Sequence, residues 1–271
     1  MRGIGLIHGS LSQQVDFAGM SDTTDLFAEI IAAYPESLRS SQRADIERQR
    51  YHLGTIARLL PPGGKILDIG GGVGMFGVAC AAAGFEVTVV DDSLDPVHVR
   101  YGPDAYAAHR RYGVTVVERD VIADGLEWGP GEFDAITTFD SMEHWHASPK
   151  RLFRQVVDVL KPGGWFLLGV PNALNLRKRI AVPLGRAKWS QMADWYEQPV
   201  FRGHVREPDV ADLRYIAHDM GLLDVRVDGR NWLGLKSPRP GVARAARLAD
   251  VPLRRFPQLC SDIYLLGRTA K

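Results

Sequence analysis

The 271-residue chain is long enough to bury one large core, and 45% apolar with 24% charged residues is ordinary globular composition, which excludes disorder of the whole. Thirty-three basic against thirty-two acidic side chains leave a formal charge of +1, so no global field recruits nucleic acid or membrane, and any such attraction has to be local. Cys80 and Cys260 make neither a disulfide framework nor a metal spacing, "MRGIGLIHGSLSQQ" is too broken for a signal peptide, and no apolar run of about 18 residues follows, so the expected setting is reducing and cytoplasmic.

Residues 1–20 read as a mobile lead-in to one domain over residues 21–271. In residues 42–60, Ile46, Leu53, Ile56, Ala57 and Leu60 form a helical stripe that stops before "PPGG" and predicts one helix covering the sheet or a ligand. "KILDI" is a buried strand that turns through Gly70, Gly71, Gly72 and Gly74 into the helical pattern "MFGVACAAAG". Glycine lets main-chain atoms approach a ligand, and the following helix start adds unpaired N–H groups, so a nucleotide-like ligand is expected there. "FEVTVVD", "VTVVERD" and "FDAITTFD" supply strands two to four. In "SPKRLFRQVVDVLKPGG", Ser148 suits an N-cap and Pro149 the first helical position, ahead of a stripe at Leu152, Val156, Val159 and Leu160. Strand five is "WFLLGVPN", residues 207–220 form another helix, and "LLDVRVDGR" and "SDIYLLGRT" are the last strands. This alternation implies an α/β fold with a doubly wound, mostly parallel sheet and ligands at the carboxyl ends of its strands.

The glycine turn has two registers. From Gly72, "GVGMFG" satisfies the dinucleotide pattern G-x-G-x-x-G, which keeps an NAD(P)-dependent oxidoreductase open. From Asp68, "DIGGGVG" begins at the strand end itself. With Asp91 in "VVDDS", Asp120 in "ERDV", "FDSMEHW" after strand four and "LKPGGWFLLGVPN", it resembles the class I S-adenosylmethionine-dependent methyltransferases over roughly residues 42–230. The resemblance implies a seven-stranded Rossmann-like sheet with its last strand antiparallel, an N-terminal helical cover and an inserted lid. It also implies S-adenosylmethionine as cofactor. Asp91, with Asp92 as the fallback, would take the ribose diol; Asp120 and the Val121 N–H would take adenine; Gly70, Gly72 and Gly74 would face the methionine part. Asp68 would help to hold the amino end, and Asp140 would lie where the sulfonium sits.

Methyl transfer is an in-line displacement that needs alignment, and a hydroxyl acceptor additionally wants a base within hydrogen-bond reach. His204 in "FRGHVREPDV", which resembles a "GHxR" element of one branch of that superfamily, is the first candidate, ahead of His144 and then Asp140. His144 and His146 form H-x-H, but no third ligand stands at a suitable spacing, so no metal is expected. "DSMEHW" lacks the proline and aromatic residue of nucleic-acid amino methyltransferases, and neither cysteine follows a proline, so nucleic-acid bases are disfavoured as acceptors. A small-molecule or glycan oxygen is the expected acceptor. An N- or macromolecule methyltransferase and a non-catalytic cofactor-binding partner stay as alternatives. The segment 172–206 is longer than a link requires and reads as a lid or acceptor pocket. Its first half interleaves Arg177, Lys178, Arg179, Arg186 and Lys188 with Leu176, Ile180, Val182 and Leu184, and its second half holds Trp189, Trp195, Tyr196 and Phe201 as pocket wall. A second basic insertion spans 231–260. Both suit an anionic acceptor, such as a phosphorylated or lipid-linked glycan, or a peripheral membrane contact.

Overall fold

The structure, a computed structural model of the chain, describes residues 23–94, 96–186, 190, 192–232 and 240–270. The expected lead-in, together with Lys188, Trp189 and part of the second insertion, lies outside them. Seven strands, β1 (Lys65–Ile69), β2 (Glu86–Asp91), β3 (Thr115–Glu118), β4 (Phe133–Phe139), β5 (Leu160–Pro171), β6 (Leu223–Arg230) and β7 (Asp262–Arg268), form one sheet in the order β3-β2-β1-β4-β5-β7-β6. Pairing is parallel from β3 through β5, and β7 runs antiparallel to both β5 and β6. A dinucleotide-binding sheet in its usual order ends 4-5-6. The antiparallel strand wedged between β5 and β6 is the arrangement expected from the methyltransferase resemblance.

Period-two alternation builds two cores, one on each face. Ile66, Val87, Val89, Ala135, Leu167 and Leu266 join one cluster, whereas Leu67, Val90, Ile136, Phe166, Leu168 and Leu265 join the other. The first is covered by α1 (Thr23–Ala32), α2 (Glu36–Ala44), α3 (Ile46–Leu59) and α4 (Met75–Ala82), with α5 (Pro96–Tyr101) and α6 (Ala107–Arg111) before β3. The second is covered by α7 (Lys150–Val159) and α10 (Val210–Asp219). Between them come α8 (Leu176–Ala181) and α9 (Met192–Tyr196), and α11 (Pro240–Leu253) precedes β7. Among the described residues no helix is long and apolar enough to cross a membrane.

Several boundaries differ from those the sequence predicts, among them β5, which starts at Leu160 rather than Trp165 and so takes Leu160 from the expected helical stripe. Residues 42–60 are not one helix: α2 ends at Ala44, and Asp45 breaks the run with its carboxylate turned to Arg48, 3.0 Å away. The α7 N-cap position is Pro149 rather than Ser148, although the Lys150 N–H still reaches the Ser148 hydroxyl at 3.3 Å. Finally α10 starts at Val210 instead of residue 207, because Asp209 and Asp212 form a reciprocal capping box there.

Candidate active site

The strand order reverses between β1 and β4, the switch point of the sheet. A cleft of about 380 Å³ opens there, lined on one side by Ile69, Gly70, Val90, Asp91, Asp120 and Val121 and on the other by Asp140, Ser141, His144 and Phe201.

The floor is the glycine turn. Gly70 has φ +69°, and a side chain there would place its Cβ 2.6 Å from the Ser141 Cβ, so glycine is required on both counts. Gly71 covers Asp68, whose Cγ would lie 3.0 Å from an added Cβ. Asp68 is therefore buried under the turn, where its Oδ1 accepts a 2.7 Å hydrogen bond from the Thr137 hydroxyl. Burial raises its pKa to about 7 against that hydrogen bond. The helical cover also holds the turn: the Tyr34 hydroxyl donates to the Gly74 carbonyl at 3.1 Å, and Gln42 reaches the Val73 carbonyl at 3.5 Å.

The acidic wall comes from consecutive strand ends. Asp91 ends β2 and accepts from the Ser93 N–H at 2.9 Å, while Asp92 accepts from the Leu94 N–H at 3.0 Å and faces Arg202 at 3.7 Å. Beyond β3, Asp120 Oδ1 accepts from the Ile122 and Ala123 N–H groups, both at 3.0 Å, and fixes the turn in which Val121 is buried.

The opposite wall was assembled from afar. Asp140 has φ +51° and is ion-paired by Arg48 of α3, so this third candidate base is held by a guanidinium. After it, Met142–His144 form one 3₁₀ turn. The Glu143 carbonyl accepts the Val205 N–H at 2.7 Å, His144 Nδ1 lies 2.8 Å from the Arg202 carbonyl, and His146 Nε2 lies 3.1 Å from the Phe201 carbonyl. These bonds draw the end of the 172–206 insertion onto the turn and bring the His204 ring to 4.9 Å from the His144 ring, edge to face. His204 Nδ1 in turn meets Glu207 Oε1 at 2.8 Å, and Lys178 binds the other Glu207 oxygen. Although burial would raise the Glu207 carboxyl, hydrogen bonds from His204 and Lys178 hold it below the usual range. Burial lowers the pKa of His144, which keeps it unprotonated at neutral pH.

The expected cofactor residues Gly70, Asp91, Asp92, Asp120, Val121 and Asp140 thus line one cleft, with His144 in its far wall. Gly74 is the α4 N-cap, Gly72 continues the turn at φ +50°, and Asp68 braces the turn from below. His146 is not the partner of an H-x-H metal pair, since its Nε2 is tied to Phe201; the third donor beside His144 and His204 is Glu143. Lys178 leaves the expected basic face of the insertion, being buried in its helix against Glu207, and Trp195 and Tyr196 are exposed rather than pocket wall. Arg48, Ser141 and Glu207 escaped the sequence reading. Only the three-residue step from His204 to Glu207 could have signalled one of them.

A switch-point cleft with a glycine turn, acids ending β2 and β3, and the β3-β2-β1-β4-β5-β7-β6 order defines a class I S-adenosylmethionine-dependent methyltransferase. A family model described as a methyltransferase domain matches residues 44–227, and the chain belongs to that family. Among curated proteins it is similar to the ubiquinone biosynthesis O-methyltransferase of Xanthomonas campestris pv. campestris, 35% identical over 127 residues that make up 46% of this chain and 51% of that protein. The Burkholderia thailandensis protein of the same name is 28% identical over 132 residues, 48% of this chain and 54% of that one. The chain thus spans about half the length of the curated relatives it matches. Among solved structures, a putative sarcosine dimethylglycine methyltransferase from Galdieria sulphuraria aligns with a TM-score of 0.56 at 16% identity, covering 92% of this chain and 99% of that one. The Haemonchus contortus phosphoethanolamine N-methyltransferase 2, in complex with phosphomonomethylethanolamine and S-adenosylhomocysteine, aligns at 0.51 with 17% identity, covering 82% and 53%. Both share the fold.

Proposed function

We propose that the chain transfers the methyl group of S-adenosylmethionine to an oxygen of a small-molecule or glycan acceptor. The observation that carries this reading is the His144–His204 pair, whose Nδ1 atoms are both engaged: His144 lines the acid-lined cleft opposite Asp91 and Asp120, and His204 packs edge to face behind it. Asp91 takes the ribose diol, Asp120 and Val121 take adenine, and the glycine turn passes the methionine part toward Asp140, with Asp68 bracing it. Oxygen is supported by the names of the curated relatives and by the chemistry of the pair. An amine can react as its free base, whereas a hydroxyl, whose pKa lies far above 7, needs help in losing its proton. Of the two histidines, His204, oriented by Glu207, is the one on which turnover most depends.

The insertion over 172–206 serves as the acceptor lid. Leu176, Ile180, Val182 and Leu184 are exposed beside Arg177 and Arg179, which suits an acceptor with an anionic or lipid part, or a membrane surface. Calorimetry tests the cofactor: S-adenosylmethionine and S-adenosylhomocysteine should bind and NAD or NADP should not. Asp91→Ala should weaken that binding by about 1.5–3 kcal/mol, more than tenfold. Tight NAD binding without S-adenosylhomocysteine binding would overturn the assignment. A screen of hydroxyl and amine acceptors with labelled cofactor then tests oxygen against nitrogen.

A further inference from the structure

We propose that Glu143, His144 and His204 form a binding site for one divalent cation, zinc(II) or a close relative, beside the reacting methyl group. One donor atom from each lies within 4.8 Å of the others. Three further features mark the cluster as a built site. Glu143 is 1% exposed, and its Oε2 is buried with no hydrogen-bond partner, an arrangement that costs free energy unless something occupies the space it faces. Both histidines have Nδ1 committed to an orienting acceptor, the Arg202 carbonyl for His144 and the Glu207 carboxylate for His204. That is the outer shell usually found behind metal-bound imidazoles, and it presents both Nε2 lone pairs for ligation. Lys178 and the Glu143 main chain in turn fix Glu207 and the loop carrying His204.

Two imidazoles and one carboxylate are a donor set found in catalytic zinc sites, which keep a position open. An ion sits about 2.0–2.2 Å from such donors, so binding would draw the three inward from their present spacing. The inference deepens the O-methylation reading and rests on it. His144 lines the cofactor cleft, so an acceptor oxygen on the open position would be presented to the methyl carbon. The ion lowers the pKa of that hydroxyl, whose proton leaves to solvent. The oxygen lone pair then forms the O–C bond as the C–S bond breaks, and the sulfur retains that electron pair and departs as a neutral thioether.

The full chain, dialysed against a chelator and then against plain buffer, is titrated calorimetrically with zinc chloride and, separately, with cobalt(II) followed by visible absorption. One equivalent should bind per chain. His144→Ala, His204→Ala and Glu143→Gln should each weaken binding by tenfold or more, and Glu207→Gln, which changes only the outer shell, by about 10- to 100-fold. His218→Ala in α10 should leave it unchanged. S-adenosylhomocysteine affinity, measured on the same samples, should be retained throughout and reports that each variant is folded. Absence of stoichiometric binding to the wild-type chain overturns the proposal, as does undiminished binding by variants that still take S-adenosylhomocysteine. Loss of ion binding alone leaves the methyltransferase reading standing; that reading falls only if the wild-type chain takes no S-adenosylhomocysteine.

Discussion

The two walls of the cleft are made differently. The wall proposed for the cofactor is the ends of β1, β2 and β3, each side chain placed by its own strand and the turn that follows it. The wall proposed for the acceptor joins the turn at 142–146 to residues 201–207 through bonds that span 55 and 58 residues, His146 to Phe201 and His144 to Arg202. A wall carried by the sheet is part of the core, so altering it disturbs folding. A wall stitched together by loops can lose its chemistry while the fold survives. The difference teaches that stability and turnover should respond to different residues here.

The largest expected effect sharpens the first half of that comparison. In the unfolded chain Asp68 ionises near 3.8, but burial holds it protonated to about 7 in the ligand-free fold. Between those pH values the folded state binds the extra proton, so this residue's contribution to stability falls as pH rises, and the loss is complete above about 7. Asp68→Asn, whose side-chain oxygen can still accept from Thr137, should therefore gain stability relative to wild type from pH 4 to pH 7, by up to about 4 kcal/mol. Denaturant melts of both proteins across that range measure it; a pH-independent difference would show that Asp68 is ionised in place. Next, His204→Ala should lower turnover by about 10²-fold with the melting curve and S-adenosylhomocysteine affinity unchanged. A variant that unfolds or loses the cofactor would mean that the acceptor wall is structural after all.

Gly70→Ala should cost about 2 kcal/mol of stability or more, from a side chain forced to positive φ and crowded against Ser141. Adding Ser141→Gly should recover only the crowding part, as double-mutant melts would show. Arg48→Met unties the helical cover from the Asp140 tip and should cost about 1.5–3 kcal/mol, the range for hydrogen bonds to a charged partner. Smallest of all, Leu184→Ser in the exposed insertion should change the melting midpoint by less than about 0.5 kcal/mol equivalent. A large loss there would place the insertion in the core.

The sequence by itself determined the sheet and the row of acids and glycines at its carboxyl ends. Period-two runs with Asp68, Asp91 and Asp120 at or just past their ends, and glycines at the turn where Gly70 and Gly72 need positive φ, are local features that one stretch of chain expresses unaided. Helix ends were legible to within a few residues, except where Asp45 divided the cover between α2 and α3, next to Arg48, whose second partner Asp140 lies far along the chain. Only the tertiary structure decided the acceptor wall. Glu143 and His144 are neighbours in sequence, but nothing in the spacing announces that His204 joins them, that Glu207 and Lys178 stand behind it, or that Asp68 lies beneath the turn against Thr137. Those placements follow from long-range hydrogen bonds and burial, which exist only once the insertion has folded back onto the end of β4.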